Sequence, residues 1–164
     1  MRTSLLLGFL LLLQPVPLQS QTGLLEDLPL PLLADVLSRG SFGHVTEEEA
    51  AFIVRGGDGA PACRLWQSRG LHFKAAFSGS VPAGTIAIVH THPHEIPYPS
   101  AADHDAANRL GIPVLVLTKH RITAAMPGVR KRVQLVVDAD WSRAVDPSRR
   151  CEAPFDAQLL GAGR

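Results

Sequence analysis

The stretch Thr85-Ile86-Ala87-Ile88-Val89-His90-Thr91-His92-Pro93 is an apolar run that ends in two histidines. Its Ile- and Val-rich composition is typical of a buried β-strand. Because residues two apart on a strand point to the same face, His90 and His92 can both reach one metal ion from a rigid support. The stretch therefore predicts a buried strand that presents a histidine pair at its end.

A carboxylate follows shortly after the histidine pair, in Pro99-Ser100-Ala101-Ala102-Asp103. Ser100 with Asp103 three residues later is typical of a capped helix start, and we expect the helix to run to about Leu110. Two histidines and one carboxylate leave a position for water, as in catalytic rather than structural zinc sites. The sequence thus predicts a zinc site of His90, His92 and Asp103.

Two of these residues have a purely structural alternative. Ser100 can serve only as the helix cap, or its hydroxyl can donate to the oxyanion that forms during attack on a carbonyl. Asp103 can serve only as an acidic residue in the first turn of a helix, where it complements the helix dipole. Both alternatives stay open at this stage.

A zinc site that activates water also needs a carboxylate that moves the proton. The acidic run Glu47-Glu48-Glu49 leads into a predicted strand that begins at Ala50. Glu49 stands at the entrance of that strand and would share a face with Ala51 and Ile53. We therefore expect Glu49 to be the catalytic base, with Glu48 as the alternative.

The remaining pattern predicts an α+β fold, in which a mixed sheet is flanked by helices. Helical spacing over Leu32–Leu37, ended near Gly40, predicts a short first helix. The proline-rich loop from Pro93 to Pro99 is expected to be non-helical. Further strands are predicted at Ala50–Val54, Cys63–Gln67, Leu71–Phe77, Val114–Leu117, Ile122–Met126 and Val133–Val137.

The first residues have the pattern of a secretory signal peptide: a basic start, an apolar core from Leu5 to Leu13, and a small residue at Ser20. The apolar core is shorter than the about 20 residues of a membrane-spanning helix. We therefore expect an exported protein, periplasmic or secreted, with no stable membrane anchor after cleavage. In such a protein the only two cysteines, Cys63 and Cys151, are expected to form a disulfide.

The leader leaves a chain of the right length for one ordinary domain. We expect a signal peptide over 1–20, a lead-in with the short helix over 21–45, the catalytic domain over 46–140 and a C-terminal extension over 141–164. The formal net charge of +1 and the low aromatic content of 5% argue against a nucleic-acid partner. The oligomeric state has no signal in the sequence.

The motif His90-x-His92-Pro93, followed by Pro99 and Ser100-x-x-Asp103, resembles the signature of the JAMM (MPN+ or JAB) zinc metallopeptidases. The segment from Glu49 to Gly56 is similar to the first strand of that family. The resemblance implies a cytidine-deaminase-like sandwich with one zinc ion held by His90, His92 and Asp103. It also implies Glu49 as base, Ser100 as support for the tetrahedral intermediate, and a peptide or isopeptide bond in a peptide or protein as the substrate.

Other functions are compatible with parts of the pattern. A non-catalytic zinc-binding or protein-interaction module of the same fold would need the metal ligands but no base. The spacing His90-x-His92-x-His94 resembles metallo-β-lactamase-like sites, but Glu95 precedes the place where an Asp-His pair is expected. The zinc deaminases need a Pro-Cys-x-x-Cys element, which the sequence lacks.

Overall fold

The computed structural model describes residues 28–66, 77, 79–136, 140–144 and 148–152. Within these ranges the chain forms two α-helices and one six-stranded sheet. The elements, in chain order, are α1 (Leu30–Arg39), β1 (Ala50–Arg55), β2 (Pro61–Leu65), β3 (Thr85–Thr91), α2 (Ala101–Leu110), β4 (Val114–Leu117), β5 (Ile122–Ala125) and β6 (Val133–Val136). Short 3₁₀ turns lie at Ser41–Gly43, Pro93–Glu95 and Trp141–Ala144.

The sheet has the strand order β2-β1-β3-β4-β5-β6. β3 and β4 are parallel and are connected through α2, whereas all other neighbouring strands are antiparallel. β3 is therefore an interior strand, paired with β1 on one side and β4 on the other. The apolar run before the histidines is buried because both edges and both faces of β3 are covered.

Each face of the sheet carries one helix and its own apolar cluster. On one face α1 packs through Leu33, Val36 and Leu37 against the sheet. On the other face Ala107 of α2 packs against a smaller cluster that includes Phe52 and Ile88. Since alternate residues of a strand point to opposite faces, the α1 side receives Ala51, Ile53, Ala87 and Val89, and the α2 side receives Phe52, Val54 and Ile88.

The predicted α+β class, with a mixed sheet flanked by helices, is confirmed. The predicted strands that fall in the described ranges are present, with ends that differ by up to two residues. The predicted strand at Leu71–Phe77 and the signal peptide at 1–20 lie outside the described residues, apart from Phe77. No described helix is long and apolar enough to span a bilayer.

The loop Pro93–Pro99 forms no regular helix, as predicted, and its one short turn has non-helical backbone angles at His94. Pro93–Glu95 forms a 3₁₀ turn with proline at its first position, where a missing backbone N–H is tolerated. His94 and Glu95 both have positive φ, at 57° and 52°. The chain therefore turns sharply directly after the second histidine.

The C-terminal part of the described chain is fixed to the edge of the sheet and to α1. The predicted disulfide is present between Cys63 of β2 and Cys151. Glu152 N–H donates to the Cys63 carbonyl oxygen at 2.9 Å, which extends the contact along β2. The buried Asp35 of α1 accepts from the Cys151 backbone N–H at 2.9 Å and pairs with Arg39 and Arg150.

Asp35 makes this attachment dependent on pH. Burial by itself would raise the pKa of Asp35, but the Cys151 N–H and the two arginines outweigh it and lower the pKa below 3.8. A carboxyl group with a lowered pKa in the folded state stabilises the fold above its unfolded pKa, and that contribution is lost as pH falls through the folded pKa.

We expect Asp35→Asn to lower the free energy of unfolding by about 2 kcal/mol at pH 7, because charge-assisted hydrogen bonds are replaced by weaker ones. Urea denaturation at pH 7 and at pH 3 measures the effect. The difference between the parent protein and the variant should narrow at pH 3. A difference that stays constant between the two pH values would contradict the role of the charged carboxylate.

Candidate metal centre

The predicted ligands converge at the end of β3 and the start of α2. His90 lies in β3 and His92 directly follows it in extended conformation, so both rings are on the α2 side of the sheet. Asp103 is the third residue of α2, which begins over this end of the strand. Potential ligand atoms of all three residues lie within 4.8 Å of one another.

The distances fit a metal ion that takes all three side chains. The Nε2 atoms of His90 and His92 are 2.9 Å apart, and Asp103 places Oδ1 at 3.4 Å from the first and Oδ2 at 3.6 Å from the second. Tetrahedral zinc with ligand bonds of 2.0–2.1 Å would separate its ligands by about 3.3 Å. Three protein ligands are also the number found in catalytic zinc sites, where the fourth position takes water or substrate.

The electrostatics keep His90 and Asp103 in the protonation states that bind metal. Burial, with a smaller contribution from His92, lowers the pKa of His90 to about 4, although Asp103 opposes the shift. Burial would raise the pKa of Asp103, but His92, His90 and Ser100 together hold it well below its usual range. At neutral pH the cluster therefore contains a neutral His90 and an ionised Asp103, as metal ligation requires.

Ser100 positions the Asp103 carboxylate. The expected capping box is present, since Ser100 Oγ accepts from the Asp103 N–H and the Asp103 carboxylate accepts from the Ser100 N–H at 2.6 Å. The Ser100 hydroxyl is also 2.7 Å from Asp103 Oδ2. The cap thus holds Asp103 Oδ2 and with it the orientation of the carboxylate; a further role of Ser100 at an oxyanion stays a prediction.

The backbone around the histidines is held by contacts on the other face of the sheet. Thr91 is fully buried, and its Oγ1 accepts from the Glu49 N–H at 3.0 Å. Gly43, with φ of 82°, lies against the His92 carbonyl, where a Cβ atom would come within 2.8 Å of the oxygen. The residue spacing around the two histidines could not predict this contact of Gly43, because it joins segments about 50 residues apart in the sequence.

The acidic run places its members on different faces of the sheet. Ala50 of β1 pairs with His90 of β3, so even-numbered residues near this point share the face of His90. Glu48 lines the cleft beside His90 and Asp103. Glu49 is on the α1 side: its backbone bonds to Thr91, and its carboxyl is near enough to Arg39 and Asp35 for both to influence its pKa.

This geometry does not support the expectation that Glu49 reaches the metal ligands. Glu49 does share a face with Ala51 and Ile53, but that face is covered by α1. Burial raises the pKa of Glu49, with Arg39 acting in the opposite direction. The structure therefore brings Glu48, the alternative, to the same cleft as the metal ligands.

The other nearby histidines lie apart from the metal cluster. His94 is exposed at the sharp turn after His92 and is not among the three converging residues. This position argues against a site of the type His90-x-His92-x-His94. The imidazole of His44 is 3.5 Å from Glu95, on the loops beside the site.

Comparison with known families finds a match in the part of the chain that carries this centre. Residues 82–136 match the model of prokaryotic homologs of the JAB domain. The matched segment is about a third of the chain and contains β3, α2, β4, β5 and β6 with all three metal-binding candidates. No curated protein matches the chain. The resemblance to the JAMM/MPN+ family is therefore confirmed over residues 82–136, where the chain is similar to prokaryotic homologs of the JAB domain.

Proposed function

We propose that this protein is an exported zinc-dependent hydrolase that cleaves an amide bond in a peptide or protein, as a peptidase or isopeptidase. The observation that carries the proposal is the convergence of His90, His92 and Asp103 beside a cleft that His90 and Asp103 line together with Glu48. A purely structural zinc site would take four protein ligands and would have no use for a nearby carboxylate that is not a ligand. The JAB-domain match is consistent with hydrolysis.

The chain's own residues would divide the work at this site. His90, His92 and Asp103 would hold the ion, which supplies a Lewis acid and lowers the pKa of a water ligand from 15.7 to about 7. Glu48 would accept a proton from the attacking water and return it to the leaving amine. The α2 cap at Ser100 would keep Asp103 oriented, because its hydroxyl donates to Asp103 Oδ2 at 2.7 Å. Support of an oxyanion by the same hydroxyl would require it to exchange this bond for one to the substrate carbonyl oxygen.

Export is a separate part of the proposal. It is supported by the leader pattern in the sequence and by the disulfide between Cys63 and Cys151, which persists in oxidising compartments. The substrate would then be a peptide or protein outside the cytoplasm. A ubiquitin-type substrate is not implied by anything in the described chain.

The test begins with metal content and activity of the mature protein. We expect about one zinc ion per chain, and hydrolysis of a peptide library that stops after chelation and returns with added zinc. Elemental analysis and mass spectrometry of the digested library measure the two. A protein that neither contains nor binds zinc would contradict the proposal. Zinc binding without cleavage of any peptide would favour the non-catalytic module.

A further inference from the structure

A cleft of about 340 Å³ opens from the metal ligands along the inner side of α2. Its volume is at the lower end of the range of small-molecule sites. The described residues that line it are Glu48, Phe52, Trp66, Phe77, Gly79, Val81, Ile88, His90, Ala102, Asp103, Ala106, Arg109, Leu110 and Val114. Most of this lining is apolar, although the cleft begins at charged metal ligands.

The floor of the cleft is an apolar row beside the metal centre. Phe52, Ile88 and Val114 are cross-strand neighbours on β1, β3 and β4. Ile88 is two residues before His90 on the same face of β3, which corresponds to about 7 Å along a strand. When a scissile amide is bound at the metal, the side chain of the adjacent substrate residue lies at about this distance from the metal. The row therefore lies where a residue next to the scissile amide would place its side chain.

The wall beside this row is aromatic. Phe52, Trp66 and Phe77 form a cluster with ring centroids 4.8–5.4 Å apart. Phe77 is 37% exposed, so part of its ring is available to a ligand. Such clusters favour a further aromatic ring in tilted or edge-on contact.

The roof of the cleft is α2, which contributes the small residue Ala106 near the metal ligands and the charged residue Arg109 further along. Ala106, one turn after Asp103, leaves space where a larger side chain would fill the cleft. Arg109 is six residues beyond Asp103 on the same helix, about 9 Å further along its axis. Arg109 is exposed, and it is the one positively charged side chain, arginine or lysine, among the described residues that line the cleft. A carboxylate is therefore the group that the far end of the cleft would attract.

We propose that this cleft is the specificity pocket of the hydrolase, and that it selects a substrate with a bulky apolar residue, preferably aromatic, beside the scissile amide and a carboxylate directly beyond it. The inference rests on the proposed function, but the pocket can be tested without catalysis. The carboxylate is either the free C-terminus of the substrate or an acidic side chain, which have the same charge and geometry at Arg109.

Binding to the metal-free protein tests the pocket itself. The probes are N-acetylphenylalanine, N-acetylalanine, N-acetylphenylalanine amide and N-acetyl-Phe-Glu-amide. We expect the phenylalanine acid to bind at least about tenfold more tightly than the alanine acid, because the ring buries its apolar surface. Calorimetry and Trp66 fluorescence report binding; the second tryptophan, Trp141, is on the α1 face and gives a constant background.

The amide and the dipeptide distinguish the two sources of the carboxylate. If the amide and the dipeptide both bind more weakly than N-acetylphenylalanine, the carboxylate is the free C-terminus of the substrate. If the amide binds more weakly but the dipeptide binds as tightly as N-acetylphenylalanine, the carboxylate is an acidic side chain. In either case Arg109→Gln should weaken binding of the preferred carboxylate by about two- to fivefold, as expected for an exposed ion pair. Arg130→Gln, on an exposed loop outside the cleft, is the matched control.

The space-filling variant Ala106→Phe separates the pocket from the rest of the site. We expect it to lose binding of the phenylalanine acid by at least about tenfold, while Ala101→Phe, exposed on the same helix outside the cleft lining, retains it. Equal binding of the phenylalanine and alanine acids, or unchanged binding in Ala106→Phe, would overturn the pocket. Ring-selective binding in a protein that cleaves no amide would support the pocket and contradict only the hydrolase.

Discussion

Replacing Glu48 by glutamine is expected to lower kcat for amide hydrolysis by about 10²- to 10⁴-fold, the usual effect of removing a general acid-base group. Glu48 lies two residues before β1 and lines the cleft together with His90 and Asp103. Glutamine keeps the size and polarity of the side chain but cannot accept the proton. Because Glu48 is not among the converging ligands, zinc content should be unchanged.

The adjacent Glu49→Gln is the matched control for this experiment. Its backbone bonds to Thr91 on the opposite face, and it should retain activity within about threefold, as expected for a residue without a role in proton transfer. Steady-state kinetics on one peptide substrate, with elemental analysis of each variant, measures both effects. Full activity of Glu48→Gln together with loss of activity in Glu49→Gln would show that the active protein has the other glutamate at the ion.

The metal ligands could be predicted from the sequence because their geometry is local. His90 and His92 are two residues apart on one strand, so strand periodicity alone places them on the same face. Asp103 follows within one loop, and the cap at Ser100 fixes where its helix begins. A short loop between a strand and a capped helix leaves few positions for the carboxylate.

The choice between the two glutamates could not be made in the same way. It depends on the register between β1 and β3, in which Ala50 is opposite His90. A shift of one residue would reverse the face of every side chain of β1, and the sequence has apolar residues at both parities over residues 50–54. Both the position at the predicted strand entrance and the family resemblance favoured Glu49, whereas Glu48 lines the cleft in the structure.

The apolar cleft was missed for a related reason. Phe52, Ile88 and Val114 come from three different strands and meet only through cross-strand pairing. Each of them is also an ordinary core residue when considered singly. The small residue Ala106, one turn after Asp103 on α2, also lines the cleft. Its small size indicates a cleft only when the position of α2 over the sheet is known.

Reduction of the disulfide between Cys63 and Cys151 should lower the free energy of unfolding more than any other single covalent change. It joins residues 88 apart in sequence. Closing a loop of that size lowers the entropy of the unfolded chain enough to stabilise the fold by about 4–5 kcal/mol. We expect the reduced protein to lose that amount in urea denaturation, with both thiols still present to fill the buried space around Cys63.

Comparison with the double variant Cys63→Ala/Cys151→Ala separates the cross-link from packing. The reduced protein should retain zinc, because the metal ligands belong to β3 and α2, whereas the disulfide joins β2 at the sheet edge to residues held by Asp35. A loss that appears only in the double variant would assign the stability to packing at Cys63 instead. If reduction lowers the free energy of unfolding while zinc is retained, the same metal centre would belong to a much less stable protein in a reducing compartment. That result would be a physical reason to expect this chain to act where disulfides persist.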